Sequence, residues 1–245
     1  MSKVISFTCL HYGKDYLGYA LRSVIDHVDE AWVVYSPVGS HGFRTDLRCP
    51  DTEAELYAIA RQAAGDKLRW ITGEWTNEGA HREAIFEYVP DADVILVVDA
   101  DEIWTNNLIE DALRMKDISE PFRRGLIPCV HFWRSFWRAI TDDMAAPTRV
   151  IYPKVKNDDT SYIGLTKINH MGYAQRSEIV YYKQYTHGHK NEWRQIWFET
   201  KFRPNAQVDV HPTNHDYWNP VAVNALDYLP SWMAEHPYFV LDVIE

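Results

Sequence analysis

The segment Val94-Ile95-Leu96-Val97-Val98 constrains the chain more than any other. Five consecutive apolar residues, four of them β-branched, suit a strand buried on both faces, as a central parallel strand is. It is the last of four strand-like runs. Val4–Thr8, Ala31–Tyr35 and Lys67–Thr72 precede it, with helix signals between. Asp15–His27 carries Tyr16, Leu17, Ala20, Leu21, Val24 and Ile25 at helical spacing. Asp51-Thr52-Glu53 opens a helix that runs to Ala64 and stops at Gly65, and Asn77–Tyr88 reads as another, stopped by Pro90. This alternation predicts an α/β fold: an open, Rossmann-like, mostly parallel sheet flanked by helices, with right-handed crossovers.

Ligands of such sheets bind beyond the carboxyl ends of the strands. That rule marks Thr8–Tyr12, Tyr35–Ser40, Gly73–Asn77 and Asp99–Trp104. After Asp101 the pattern becomes mixed. A helix is predicted over Asn107–Lys116, strands over Gly125–His131, Thr148–Pro153 and Glu178–Lys183, and a helix from Asn191 to Phe202. The tail from Pro204 reads as looser. The expected organisation is one domain over residues 1–203 and a C-terminal extension, 204–245, packed on it.

Asp99-Ala100-Asp101-Glu102 puts acids directly after the strongest strand. In extended chain the two aspartates would point to one side, about 7 Å apart. At a turn they could share one hard cation, and Mg²⁺ or Mn²⁺ commonly takes one or two carboxylates plus substrate phosphates. Such an ion would neutralise charge on a departing diphosphate. Small Ala100 lets the turn pass close to a ligand. The plainer reading, acids that end a strand and cap the next helix, would suffice for the motif in isolation. Its place at the ligand-binding edge favours function.

The stretch Asp93–Trp104 resembles the DxD region of GT-A glycosyltransferases, particularly glycosyltransferase family 2. Ile5–Tyr19 resembles that family's first strand and helix, and Val28–Val34 the segment leading its second strand. Gly79–Tyr88, with Arg82, resembles the helix before the DxD strand, where an Arg lies near the diphosphate. Asn169-His170-Met171-Gly172-Tyr173 resembles a downstream His-x-Gly-Tyr element. The likeness spans Val4 to Tyr185 and is absent after about Lys201. It implies a GT-A-type sheet with an acceptor-side second half, a nucleotide-sugar donor, most simply a UDP-sugar, and Mn²⁺ or Mg²⁺. It places the metal on Asp99, Asp101 and His170. The donor would lie across Thr8, Leu10, His11, Tyr12, Tyr35, Glu74, Arg82, Asp99, Ala100 and Lys183. It implies a glycan or lipid-linked sugar as acceptor, and a general base at Asp142 or Asp143 if the reaction inverts.

Other residues compete for these roles. His187 and His189 could touch metal or phosphate, with Lys183, Lys190 and Arg194 as neighbouring cations. A zinc site at His211, His215 and Asp216 is disfavoured because Pro212 breaks the helix that would align the histidines. In His131–Arg138, Trp133 pairs with Trp137 and Arg134 with Arg138 at helical spacing. These could form an acceptor platform or an inward-packed helix. The platform would suit a second acceptor, hydroxymethyl-pyrimidine in viral DNA. The formal net charge of −10 speaks against a dominant grip on nucleic acid or an anionic membrane. A non-catalytic carbohydrate- or nucleotide-binding module using the same sheet edge is a rival of another class. A nucleotidyltransferase is a further rival, but Thr8–Lys14 lacks a Gly-rich loop. Ten Trp and fifteen Tyr supply core and could also line a sugar site. Cys9, Cys49 and Cys129 have no metal-binding spacing, and no apolar run approaches 18 residues. The expectation is a cytoplasmic protein without a membrane span.

Overall fold

The computed structural model describes residues 2–39, 46–89, 91–115, 122–164, 166–186, 191–213 and 218–245. The first half alternates as expected: β1 (Val4–Leu10), α1 (Leu17–Val24), β2 (Glu30–Tyr35), α2 (Glu53–Ala64), β3 (Leu68–Thr72), α3 (Glu78–Glu83), α4 (Ile85–Tyr88) and β4 (Val94–Val97). Thr52 caps α2 in a reciprocal box with Glu55. Asn77 caps α3 by accepting from the Ala80 amide, but the helix expected to reach Tyr88 breaks at Ala84 into two pieces.

The second half contains β5 (Glu102–Ile103), α5 (Asn106–Arg114), β6 (Arg124–Leu126), β7 (Cys129–Trp133), β8 (Arg138–Ile140), β9 (Thr148–Ile151), β10 (Thr160–Tyr162), β11 (Ile168–Tyr173), α6 (Ser177–Thr186) and β12 (Val221–Ala222). The described strands form two sheets, β10-β6-β9-β4-β1-β2-β3 and β12-β8-β7-β11-β5. In the first, β4, β1, β2 and β3 run parallel, while β9 lies antiparallel to β4. The fold is α/β, with a mostly parallel central sheet flanked by helices.

Burial follows the strand period. Ile95 and Val97 pack with Ile5, Phe7 and Ile85 on one face of the large sheet. Val94, Leu96 and Val98 pack with α1 and α5 on the other. This double burial is why β4 reads as continuously apolar.

Three expectations are corrected. Glu178–Lys183 is helical, within α6, not a strand. From Asn191 the chain turns irregularly and forms only a short π-helix, Phe198–Phe202. Residues 134–137 link β7 to β8, so Trp133 and Trp137 do not share a helix face. Trp133 is fully buried, and the buried Arg134 donates to the carbonyls of Phe202, Arg203 and Ile244. No aromatic–arginine platform faces solvent there.

The tail is not loose. Ala225, Leu229, Met233 and Ile244 are buried with Tyr16, Ile103 and Phe132 in one core cluster. β12 pairs with β8. Among the described residues, no helix is long and apolar enough to cross a membrane.

Candidate active site

A cleft of about 480 Å³ opens at the carboxyl ends of β1 and β4. The two sheets meet there, because the chain leaves β4, turns through Asp99-Ala100-Asp101 and enters β5 of the second sheet. Gly13, after β1, has φ +137°, and a Cβ on it would stand 2.9 Å from the Ala100 Cβ. The small residue in the acidic turn therefore lets the two loops pass each other.

Strand pairing assembles the site from residues far apart in sequence. β11 runs antiparallel to β5 and sets His170 opposite Glu102. The Met171 amide donates to the Asp101 carbonyl at 2.7 Å. β7 runs parallel to β11 and sets His131 opposite His170. β8 returns antiparallel to β7, and three residues past its end Asp143 reaches back to His131.

Asp99 and Asp101 face different partners. Asp99 is clamped by Arg149, whose Nη2 lies 2.7 Å from Oδ2, and by Arg82, whose Nη1 lies 3.2 Å from Oδ1. Burial alone would raise its carboxyl, but Arg149 and Arg82 overcome that and hold it well below the usual range. Arg149 also donates from Nε to the fully buried Glu102 at 2.8 Å, and Glu102 accepts from the Asp99 amide. Two guanidiniums thus already pair with the carboxylate expected to hold metal.

Asp101 is different. Its Oδ2 accepts from Gln175 Nε2 at 3.0 Å, with Lys183 Nζ at 3.8 Å. Its Oδ1 lies 3.5 Å from His170 Nε2. Burial pushes the Asp101 carboxyl up, against the pull of Lys183. Burial, together with His131, Lys183 and Arg149, pushes the His170 imidazole well down, so it is neutral near pH 7.

Asp143 Oδ1 accepts from the Ala145 amide, and Oδ2 accepts from Trp218 Nε1. Both groups can only donate. His131 Nε2, 3.0 Å from Oδ2, is then the donor of that contact. A neutral His131 keeps Nδ1 as an acceptor, so His170 Nδ1, 2.8 Å away, carries the proton between the two rings. His170 Nε2 is left as a lone pair facing a carboxylate oxygen. A hard divalent cation reconciles two such groups: donors bound at about 2.1 Å sit about 3 Å apart at a right angle. Among the described residues no three His, Cys, Asp or Glu side chains are grouped to hold a metal ion. The protein could therefore offer Asp101 and His170, with phosphate and water completing the shell.

Gly172 has no room for a side chain, since a Cβ there would meet His170 Cε1 at 2.3 Å. At the cleft's other end, His11 Nδ1 donates to the Ser36 carbonyl and its Nε2 accepts from Tyr182, both at 2.8 Å, tying β1 to α6.

Leu10, His11, Tyr12, Arg82, Asp99, Ala100, Asp101, His170 and Lys183 all line the cleft. Thr8 does not, being buried within β1. Tyr35 stacks on Trp70 in the core beside α2. Glu74 and Asp142 are exposed and are not among the residues that line the cleft. Asp143 is 3% exposed and engaged by His131, Trp218 and Ala145, so it is not placed to deprotonate an acceptor. Arg194 is held by Asp209 away from the cleft. Ser40, His187, His189, Lys190, His215 and Asp216 lie outside the described residues. His131, Arg149, Gln175 and Trp218 line the cleft without having been assigned to it from sequence. Arg149 stood in an expected strand, but only the β4–β9 pairing turns it toward Asp99.

No protein-family model matches the chain, nor does the sequence of any curated protein. Similar solved structures include TarS of S. aureus, with 13% identity and a TM-score of 0.45, covering 83% of this chain and 77% of that one. A 4-diphosphocytidyl-2C-methyl-D-erythritol synthase from Anaerococcus prevotii is similar at 12% identity and TM-score 0.42, covering 75% of this chain and 96% of that one. The glycosyltransferase GlyE of Streptococcus pneumoniae is similar at 13% identity and TM-score 0.33, covering 97% and 66%. Likeness at these scores assigns no activity.

Proposed function

We propose that this chain is a GT-A-type, metal-dependent glycosyltransferase that takes a sugar from a nucleotide diphosphate, with a UDP-sugar as donor. The observation that carries this reading is the pair Asp101 Oδ1 and His170 Nε2, a carboxylate oxygen and an imidazole nitrogen 3.5 Å apart at the carboxyl edge of a parallel sheet. Mn²⁺ or Mg²⁺ held there would neutralise charge on the departing diphosphate. Lys183, only 8% exposed and beside Asp101, supplies a fixed cation to the same phosphates. Arg149 and Arg82 hold the Asp99 turn rigid, so these donors are in place before the donor sugar arrives. Leu10, His11 and Tyr12 form the wall proposed for the nucleoside.

Among the described residues, the lining carboxylates all have cationic neighbours: Glu78 and Asp99 on Arg82, and Asp101 beside Lys183. The proposal therefore assigns no general base. The acceptor is proposed to be a glycan or lipid-linked sugar. The hydroxymethyl-pyrimidine alternative rested on an exposed Trp/Arg platform, and those side chains are inward or spoken for. A reducing, cytoplasmic setting belongs to the same reading and suits Cys9, Cys49 and Cys129, all free thiols.

The test is transfer or slow hydrolysis of labelled UDP-sugars with Mn²⁺. Asp101→Ala should lose turnover and keep its thermal unfolding. Full activity in EDTA would refute the metal. Tight binding of a UDP-sugar with no turnover under any condition would favour the non-catalytic module.

A further inference from the structure

We propose that His131 and Asp143 are positioning residues: they hold His170 in the single tautomer and ring orientation that a divalent cation requires. This rests on the reading of Asp101 and His170 as the cation's protein ligands.

The relay has a direction. Trp218 and the Ala145 amide can only donate to Asp143. His131 therefore gives its Nε2 proton to Asp143, and a singly protonated His131 then accepts at Nδ1 from His170. The relay ends with a bare Nε2 aimed at Asp101. The backbone supports each member. Lys167 donates to the carbonyls of Thr141 and Asp143 at 2.7 and 3.1 Å and fixes the loop that carries the carboxylate. Trp218 covers the His131 ring, with centroids 4.4 Å apart, and adopts φ +68°. A bulky residue in that conformation is strained, which suits a side chain held for its contacts. The bare backbone of Gly172 closes the other side of the His170 ring. A metal-ligating histidine commonly has its second nitrogen fixed in this way, and losing the partner weakens the metal by about 10–100-fold.

Asp143→Ala tests the relay by removing the acceptor of the His131 proton. An unanchored His131 can turn or carry its proton on Nδ1, and His170 then carries its own on Nε2, facing Asp101. Mn²⁺ affinity of the full chain, measured by calorimetry without donor, should fall at least tenfold in a variant that still unfolds cooperatively. Nitrogen-15 NMR of histidine-labelled, metal-free wild type gives a second readout that needs no folded Asp143 variant. His170, assigned by its loss in His170→Ala, should show the Nδ1–H tautomer. If wild type binds no Mn²⁺, the underlying assignment of Asp101 and His170 fails. If wild type binds, His170→Ala does not, and Asp143→Ala binds like wild type, the positioning role is overturned. An Nε2–H tautomer in wild type overturns it too.

Discussion

Gly172 shows how narrowly single residues define this site. Its missing side chain is the space the His170 ring occupies. Gly172→Ala should cost about 1–3 kcal/mol if the ring stays and the core strains. If the ring swings away instead, Mn²⁺ affinity should fall. Urea unfolding and Mn²⁺ titration together read both, and no change in either would refute the packing described. Asp99 makes a different prediction. Its folded pKa lies below the ordinary 3.8 because Arg149 and Arg82 flank it. A depressed carboxylate stabilises the fold fully above its unfolded pKa, and that contribution is lost as pH falls through the folded value. Arg82→Gln raises the folded value, so its acid unfolding should begin at higher pH than in wild type, as followed by circular dichroism. Asp99 and Asp101 could be picked out from sequence because an acidic pair after a buried strand is a local pattern, whereas His170 was singled out only by resemblance to a family element. The clamp on Asp99 could not, because Arg149 stands 50 residues away and only strand pairing aims it.

At the scale of elements, α6 and the β7–β8 link are the instructive cases. Ile179, Val180, Tyr181 and Tyr182 favour strand by propensity, yet the segment folds as a helix. Its buried set, Ile179, Val180, Tyr182, Lys183 and Thr186, follows a helical face that puts Lys183 beside Asp101. Tertiary packing overrides intrinsic preference here. Lys183→Met keeps the stem and removes the charge, so it should lower kcat/KM about a hundredfold, a loss typical of deleting one fixed transition-state donor. Its thermal unfolding should stay near wild type. Wild-type kcat/KM in this variant would remove Lys183 from the diphosphate site. In the β7–β8 link, Trp133 with Trp137 and Arg134 with Arg138 match helical spacing, which left an acceptor platform and an inward-packed helix both open. Arg134 is buried against carbonyls of residues 202, 203 and 244, and Trp133 among Tyr173, Trp197 and Phe202, partners that local spacing cannot reveal.

For the molecule as a whole, the parallel half was readable because its strands and helices alternate in short local units. The second sheet was not, since apart from the local β7–β8 pair its strands are joined by distant pairings, Ile103 with Asn169, Cys129 with Ile168 and Ala139 with Val221. The tail belongs to this assembly. Removing residues 240–245 takes away Ile244, fully buried, and its carbonyl, which accepts from Arg134. The loss of burial plus a stranded guanidinium should cost about 3 kcal/mol or more, read by urea unfolding. A truncated chain as stable as wild type would contradict the integrated tail. The central claim is that Asp101 and His170 hold a cation for a nucleotide sugar, and thermal unfolding with a panel of nucleotide sugars tests it most directly. Each sugar is tried with Mn²⁺ and with EDTA, in wild type and Asp101→Ala. The account predicts that one UDP-sugar raises the wild-type Tm only with Mn²⁺ and leaves Asp101→Ala unmoved. An equal shift in EDTA, or an equal shift in Asp101→Ala, would contradict it.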